Sequence, residues 1–315
     1  MATITARIRS QAAVTRAAKF GSGVAREAPF IPLIVLAGLA FVAVFAPLLA
    51  PHSKLDPVKP TREQCLARYG MANCPYVDNV PPFWSHEGNL DTPLGTDALG
   101  RDVLSRLMYG ARISLVVALC GTLAAGAIGT WLGIVAGYMG QWWDQMIMRI
   151  TDAWLTLPSL VFAILLSSVR GPGLWNVVLI LGMVFWSRYA RSVRGEVLTL
   201  RERDFVKLAE ISGASKLRVI RRHLFPNVMN TVMVVFSLQV GVAVIIEASL
   251  SFLGVGVPPP EPSWGLMMSQ ERESLMEGRW WLSVFPGTCI TLLVLSANML
   301  GDWLRVRLDP QLRNR

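Results

Sequence analysis

Long apolar stretches with few or no charged residues constrain the fold of this chain more than any other feature. The first runs from Pro29 to Ala50 and the second from Ile113 to Met139. A helix rises about 1.5 Å per residue, so about 20 apolar residues cross the roughly 30 Å hydrocarbon core of a bilayer. Four further runs cover residues 151–169, 173–186, 228–254 and 284–303. The pattern predicts an all-α polytopic membrane protein with six transmembrane helices.

The distribution of basic residues predicts the orientation of these helices. Of the 315 residues only 16% are charged, against about 25% in a typical soluble domain, and the formal net charge is +9. Twenty of the thirty Lys and Arg residues lie in segments on the same side as the N-terminus, ten of them in 187–227. Cytoplasmic loops of membrane proteins carry such an excess, so both termini are expected in the cytoplasm. The positive charge therefore indicates topology and not binding of nucleic acid.

These runs divide the chain into segments. We expect a basic cytoplasmic N-terminal segment (1–28), a first transmembrane helix (29–50) that is not cleaved as a signal peptide, and a large extracytoplasmic loop (51–112). A membrane core of five helices (113–303) follows, and it contains one long cytoplasmic loop (187–227) and one long extracytoplasmic loop (255–283). A short cytoplasmic tail (304–315) follows the core.

Motifs for nucleotide, metal or hydrolytic chemistry are absent from the sequence. It has no Gly-x-x-x-x-Gly-Lys-Ser/Thr loop and no Gly-x-Ser-x-Gly elbow. Its three histidines, His52, His86 and His223, are far apart in sequence, and no zinc-binding spacing occurs. We therefore expect no catalytic residue, metal site or cofactor in this chain. An intramembrane hydrolase would need a nucleophile and base that the sequence does not offer.

Two cysteines in the large extracytoplasmic loop could form a disulfide. Cys65 and Cys74 flank a polar stretch, whereas the other two cysteines lie in apolar runs. The oxidising side of a bacterial membrane permits such a bridge. The sequence leaves two alternatives open, a bridge between Cys65 and Cys74 or two unpaired thiols.

Acidic residues inside the apolar runs are rare. Asp152 and Asp302 lie near inner ends, where they can reach the interface or pair with Arg149 and Arg305. Glu247 lies deeper, about 10 Å from the outer end of its run. Intramembrane acids often mark functional sites, so Glu247 either pairs with another helix or lines a translocation cavity.

The long cytoplasmic loop contains a pattern typical of a short docking helix. Phe205, Leu208, Ala209, Ser212 and Gly213 fall on one helical face, where the small residues leave a shallow patch. A glycine also permits a turn between two short helices. The alternative is a solvated connecting loop, but forty residues are more than a connection requires.

The same loop resembles the EAA motif of bacterial ABC-importer permeases, whose short helix couples to an ATPase. The segment AEISGASKLRVIRRHLFPN matches that motif at Ala209, Gly213 and Pro226, while Lys207 and Leu208 depart from its usual Glu and Ala. The resemblance implies a coupling role for a set of residues in this loop: Phe205, Leu208, Ala209, Gly213, Ala214 and Pro226.

Three further segments resemble signatures of the C-type permease subunit of dipeptide, oligopeptide and nickel importers. They are PLGTDALGRDVLSRLMYGARISL from Pro93, EASLSFLGVGVPPPEPSWG from Glu247, and FPGTCITLLVLSANMLGDWLRVRLDPQLR from Phe285. The first is expected to form an amphipathic helix near the entry of the pathway, or merely a lead-in to the second span. Its candidate residues are Gly95, Asp97, Gly100, Arg101, Asp102 and Arg106.

The resemblance implies a type I ABC importer permease fold in the bacterial cytoplasmic (inner) membrane. It also implies a sister permease subunit, two ATPase subunits that bind ATP and Mg²⁺, and an extracytoplasmic solute-binding protein. The implied cargo is a di- or oligopeptide, with nickel or another small solute as the alternative. A secondary transporter driven by Glu247 and Asp302 would require inverted repeats, which the sequence does not show.

Overall fold

The computed structural model describes residues 29–59, 65–66, 70, 74, 76–85 and 88–308. Within these ranges the chain is helical apart from its loops and one isolated β-bridge between Thr96 and Asp102. The expected N-terminal segment 1–28 and the tail beyond Leu308 lie outside the described residues. The all-α prediction is confirmed for the part that is described.

Eleven α-helices and one π turn follow one another in the described ranges. In chain order they are α1 (Phe30–Leu49), α2 (Val103–Met139), α3 (Gln141–Thr156), α4 (Ser159–Arg170), α5 (Leu174–Arg201), α6 (Asp204–Ile211), α7 (Lys216–Val219), the π turn (Ile220–Leu224), α8 (Phe225–Phe252), α9 (Trp264–Gln270), α10 (Arg272–Met276) and α11 (Trp281–Leu308).

Several of these helices are long and apolar enough to cross a membrane. Four qualify alone, namely α1, α2, the continuous segment Lys216–Phe252 and α11. The pair α3 and α4 qualifies as a fifth if it is taken as one bent span. The predicted runs thus correspond to real helices, and the chain is a multi-pass membrane protein.

The third predicted run, 151–169, is not one straight helix. It is broken between Thr156 and Ser159, and the two halves meet at an angle of 93°. Pro158 explains the break, because proline removes a backbone donor and disfavours the helical conformation of the residue before it. Leu157 accordingly has an extended backbone with ψ 130°. Of the two alternatives for Asp152, pairing with Arg149 is not seen, since its exposed carboxylate pairs with Arg191 of α5.

The helix of the fourth predicted run, 173–186, extends well beyond the predicted end. The apolar run stops at Trp186, but α5 continues to Arg201. The additional residues are held against α3, where Arg194 donates two hydrogen bonds to the Asp144 carboxylate, one from Nε and one from Nη2 at 2.6 Å. Much of the predicted cytoplasmic loop 187–227 is therefore the end of a long helix, and the next helix of that loop is α6.

The most extensive contact between helices joins α2 to α5. Glycines of α2 allow it, because a Cβ on Gly129 would lie 2.2 Å from the carbonyl oxygen of Trp186 and one on Gly133 would lie 2.7 Å from that of Ala190. A Cβ on Gly137 would meet Val197 at 2.8 Å. Small residues at four-residue spacing let two membrane helices approach this closely.

This contact places two apolar clusters one after the other along the helix pair. The larger cluster joins α2, α4, α5, α8 and α11, with Phe185 and Leu181 of α5 fully buried in it. The smaller cluster lies at the other end and includes Ile134 and Val193, together with Val206 of α6 and Leu224 of the π turn. The second cluster is the surface on which the short helices after α5 rest.

The glycine contact predicts a stability difference between two matched substitutions. Gly129→Ala should lower the free energy of unfolding by about 1–3 kcal/mol, because a backbone carbonyl cannot move aside without separating α2 from α5. Gly195→Ala should be neutral or stabilising, since a Cβ there would meet no atom within 4 Å. Gly195 lies inside a helix, where alanine is favoured over glycine. Thermal unfolding of the purified protein in detergent measures both. Equal behaviour of the two variants would contradict the role given to Gly129.

Candidate functional site

Two short helices and a turn after α5 form the segment that resembles a docking motif. Helix α6 begins at Asp204, whose carboxylate lies in the first turn, where negative charge is favourable. It ends at a turn in which Gly213 has φ 77° and the Ala214 N–H donates to the Ala209 carbonyl at 3.0 Å. Glycine adopts this left-handed conformation without the penalty that a side chain would add. We call residues 204–219 the coupling segment.

One face of the coupling segment packs on the protein. Val206 is fully buried in the smaller apolar cluster, and Ala209 and Ala214 pack against the same cluster while partly exposed. The sequence predicted that Ala209 would lie on the outward face with Phe205 and Leu208. Val206 takes the inward position, and Ala209, three residues further along the helix, lies on the same side and so turns towards the protein.

The opposite face of the coupling segment is apolar and exposed. Leu208 is 62% exposed and Ile211 82%, and Phe205 and Leu217 of the same segment are exposed as well. Exposed apolar residues that form one patch indicate an interaction surface. We call these four side chains the outward patch, and Ile211 and Leu217 are members of it that the sequence pattern missed.

Hydrogen bonds fix the coupling segment to the long helices. The Tyr138 hydroxyl at the end of α2 donates to Glu210 Oε1 at 2.8 Å. Lys207 pairs with Glu202 at 2.9 Å near the start of α6, an exposed contact that contributes little to stability. The Tyr138 bond places the outward patch at a defined position relative to α2.

The chain continues from the coupling segment into α8 without a loop. Helix α7, the π turn and α8 form one continuous run from Lys216 to Phe252. Within it the Phe225 N–H donates to the Ile220 carbonyl, the wider bonding pattern of a π turn, immediately before Pro226. Proline cannot donate a helical hydrogen bond, and a π turn is a common way to accommodate an irregular position inside a helix. Helix α7 is thereby joined without a loop to a segment that is long and apolar enough to span the membrane.

On the other side of the molecule, Asp97 lies at the centre of a buried ion-pair network. Its carboxylate accepts hydrogen bonds from the backbone N–H groups of Leu99 and Arg101, both at 2.9 Å, and from the side chains of Arg101 and Arg106. Arg106 also donates to Gln270 Oε1 at 2.7 Å, which ties the start of α2 to α9. We call Asp97, Arg101, Arg106 and Gln270 the outer clasp.

Two glycines and one cap give the region around the outer clasp its shape. Gly95 and Gly100 have φ of 85° and 71°, and Asp102 caps α2 by accepting from the Ser105 N–H at 2.9 Å. The segment before α2 is thus a pair of turns, and the amphipathic helix expected there begins only at Val103. The residues of this signature come together as a structural tie.

Glu271 extends the network into α10. It accepts a hydrogen bond from the Ser274 hydroxyl at 2.9 Å. Burial raises the pKa of its carboxyl above the usual 4.5, and the nearby Asp97 carboxylate acts in the same direction. Because the folded state favours the protonated acid, this group contributes most to stability at acidic pH, and the contribution is lost as the pH rises through the raised pKa.

Glu247 lies fully buried in α8 between two hydroxyl groups. Ser114 of α2 donates to its Oε2 at 2.9 Å, and Ser251 donates to its Oε1 at 2.9 Å. The carboxyl therefore joins α8 to α2, which favours pairing over a place on the wall of a cavity.

A polar group in the middle of the helix bundle was not recognised in the sequence. Arg188 of α5 donates to Gln239 Oε1 of α8 and to the Ser159 hydroxyl at the start of α4, both at 3.1 Å. Its guanidinium also lies 5.6 Å from the centre of the Phe185 ring. The signal in the sequence was an arginine two residues after an apolar run, which resembles an ordinary loop residue.

The structure brings Cys65 and Cys74 together. A disulfide joins them, and their Cα atoms are 5.6 Å apart, a separation that such a bridge spans. Cys120 and Cys289 are free. Among the described residues no group of three or more His, Cys, Asp or Glu side chains could hold a metal ion.

Comparison with known proteins places the chain among membrane components of transport systems. Residues 129–314 match the family described as binding-protein-dependent transport system inner membrane component. The chain is 38% identical to the di/tripeptide transport system permease protein DppC of Pseudomonas aeruginosa, over 90% of this chain and 88% of that protein. It is also 38% identical to the dipeptide transport system permease protein DppC of Bacillus subtilis, over 89% and 81% of the two chains.

The outer clasp predicts a large loss of stability when its central charge is removed. Asp97→Asn should destabilise the protein by about 3–5 kcal/mol, because Arg106 is left buried without its carboxylate. Glu277→Gln is the matched control, since it removes an exposed pair with Arg279 that is worth about 0–1 kcal/mol. Thermal unfolding in detergent compares the two. A loss for Asp97→Asn no larger than the control's would show that the clasp does not stabilise the fold.

The geometry at Cys65 and Cys74 predicts the number of reactive thiols. Unfolded, unreduced protein should react with a maleimide at two cysteines, Cys120 and Cys289, and after reduction at all four. Mass spectrometry counts the additions, and a Cys65→Ser, Cys74→Ser variant should give two in both conditions. Four additions without reductant would exclude the bridge.

Proposed function

Because the chain belongs to the family of binding-protein-dependent transport system inner membrane components, we propose that it is the permease subunit of an ATP-driven importer that moves di- or oligopeptides into the bacterial cell. The chain is a multi-pass protein of the inner membrane. The observation that carries the proposal is similarity over about nine tenths of its length to permeases named for peptide transport.

In this proposal the chain has six spans, a type I importer fold and both termini in the cytoplasm. The bent pair α3 and α4 counts as one span and α5 as another. Support comes from the basic residues, which concentrate around the end of α5 and the coupling segment and so mark the cytoplasmic side. The outer clasp and α9 then face the extracytoplasmic side, where a solute-binding protein delivers cargo.

The outward patch is the proposed contact with a separate ATPase subunit. ATP and Mg²⁺ bind on two such subunits, since this chain has no phosphate-binding loop. Their closure displaces the coupling segment, and the continuous run from Lys216 to Phe252 passes the displacement to α8. Together with a sister permease, the spans then alternate between outward-facing and inward-facing states. ATP binding and hydrolysis shift the equilibrium between these two states, and the spans of this chain are among the parts that move.

Two alternatives concern the cargo and the energy source. Nickel or another small solute could be carried by the same architecture, because recognition would lie largely in the binding protein. A proton-coupled secondary transporter would need a titrating group that both sides of the membrane reach in turn. The hydroxyl partners of Glu247 on α2 and α8 favour a structural role, so an ATP-driven importer of peptides is the better-supported function.

The outward patch predicts that a charge placed on it will uncouple ATP hydrolysis from the binding protein. Leu208→Glu should reduce the stimulation of ATP hydrolysis by loaded binding protein about tenfold, since burial of one leucine contributes about 1.5–3 kcal/mol to a contact. Folding should be unaffected, because Leu208 is exposed. Val306→Glu is the matched control, since Val306 is an apolar residue of α11 that is 54% exposed and does not belong to the patch.

The experiment uses the permease pair and ATPases reconstituted in vesicles with their binding protein. Uptake of a radiolabelled dipeptide and of nickel is measured in the same vesicles, so that cargo and coupling are tested separately. Peptide uptake that needs ATP and the binding protein supports the proposal. Undiminished stimulation in Leu208→Glu would refute the coupling role, and uptake driven by a proton gradient without ATPases would refute the importer class.

A further inference from the structure

Arg188 connects α5 to α8 within the helix bundle. It lies two residues after the apolar run of α5, between the buried residues Ser187 and Tyr189, and its partner Gln239 lies within the apolar run 228–254 of α8. A charged side chain inside a bundle of membrane helices is costly, and such residues mark pathways for substrates or ions.

The charge of Arg188 has no acidic partner among the described residues. The next two arginines of α5 are paired, Arg191 with Asp152 and Arg194 with Asp144. Arg188 instead meets only neutral acceptors, the amide of Gln239 and the hydroxyl of Ser159. Since arginine keeps its positive charge in proteins, this position holds a cation that can accept a carboxylate.

A second donor beside Arg188 also lacks a partner. Gln239 is only 5% exposed, and its Oε1 is engaged by Arg188, but its Nε2 makes no hydrogen bond. A buried amide nitrogen without a partner costs free energy and calls for an explanation. Its oxygen is bonded to Arg188, so the unpaired donor is separated from the guanidinium only by the amide group itself.

The break between α3 and α4 opens towards this polar group. Its residues Thr156, Leu157 and Pro158 are exposed on the surface of the chain, and α4 starts at Ser159, which Arg188 touches. Non-helical backbone at membrane depth is tolerated only where it meets protein or a water-filled cavity. The exposed break therefore faces the translocation pathway or the sister subunit and not lipid. The first turn of α4 adds unpaired N–H groups and the positive end of a helix dipole.

We propose that Arg188, the Gln239 amide and the first turn of α4 form a binding site for the C-terminal carboxylate of a peptide during its passage through the membrane. This inference rests on the proposed peptide-import function. A carboxylate suits a pathway that must accept many sequences, because every unmodified peptide carries one. The guanidinium and the amide replace part of its hydration where the surroundings are apolar, and the absence of a fixed counter-ion keeps the site free for each new substrate.

The test compares a tripeptide with its C-terminal amide in reconstituted vesicles that contain the complete importer. Each form is supplied at concentrations that saturate the binding protein, so that any preference of the binding protein for acid or amide does not affect the transport rate. The variants are Arg188→Gln, which removes the cation, and Gln239→Glu, which keeps the shape but supplies Arg188 with a fixed carboxylate. Arg191→Gln is the control, an exposed arginine one turn further along α5. Stimulated ATP hydrolysis is recorded in parallel.

Wild-type importer and Arg191→Gln should transport the free acid about tenfold faster per ATP than the amide, as expected for loss of a charge-assisted hydrogen bond. Arg188→Gln and Gln239→Glu should both abolish this difference, because they slow transport of the free acid and leave transport of the amide unchanged. The binding protein should still stimulate ATP hydrolysis in both variants. Equal rates for acid and amide in the wild type would overturn the proposal. So would an equal loss of both substrates in Arg188→Gln, which would instead indicate a carboxylate of the sister subunit as partner. Absence of any ATP-dependent uptake in the wild type would contradict the proposed function itself.

Discussion

The close approach of α2 and α5 is the constraint on which the rest of the described structure depends. Gly129, Gly133 and Gly137 bring the two backbones together, and no other helix pair in the described part of the chain has so extensive a contact. One end of this pair supplies the apolar surface under the coupling segment. The same contact fixes the height of Arg188 relative to α8, and the outer clasp fastens the far end of α2. A disturbance at the glycines would therefore reach all three regions.

The buried polar groups of this molecule have different partners at different positions. At the outer face, the Asp97 carboxylate accepts bonds from both of its arginines, and Glu247 accepts bonds from Ser114 and Ser251. Each of these groups contains an acid with its donors around it. Arg188 and Gln239, beside the broken helix, contain a cation and an amide but no acid. The presence or absence of a carboxylate separates the structural ties from the position proposed for a moving ligand.

The sequence predicted the helices better than it predicted their faces. Apolar runs locate α1, α2, α8 and α11 because burial in lipid requires length and hydrophobicity, which composition records directly. The same criterion predicted too early an end for α5, because it stops at the last apolar residue, Trp186. Helix propensity and tertiary contacts keep the charged residues after Trp186 helical as far as Arg201. The inward position of Val206 depends on the cluster beneath α6, and the pairing of Arg188 with Gln239 depends on a helix fifty residues away. Neither of these relations has a signature in local spacing.

The central claim is that the outward patch of the coupling segment binds a separate ATPase subunit. A photo-reactive amino acid at position 211, in place of the most exposed member of the patch, tests this contact directly in the assembled importer. The account predicts a cross-link to the ATPase whose yield changes when ATP replaces ADP, and no such product from a probe at position 306. Cross-links from position 211 to lipid or to no protein, in an importer that still hydrolyses ATP, would contradict it.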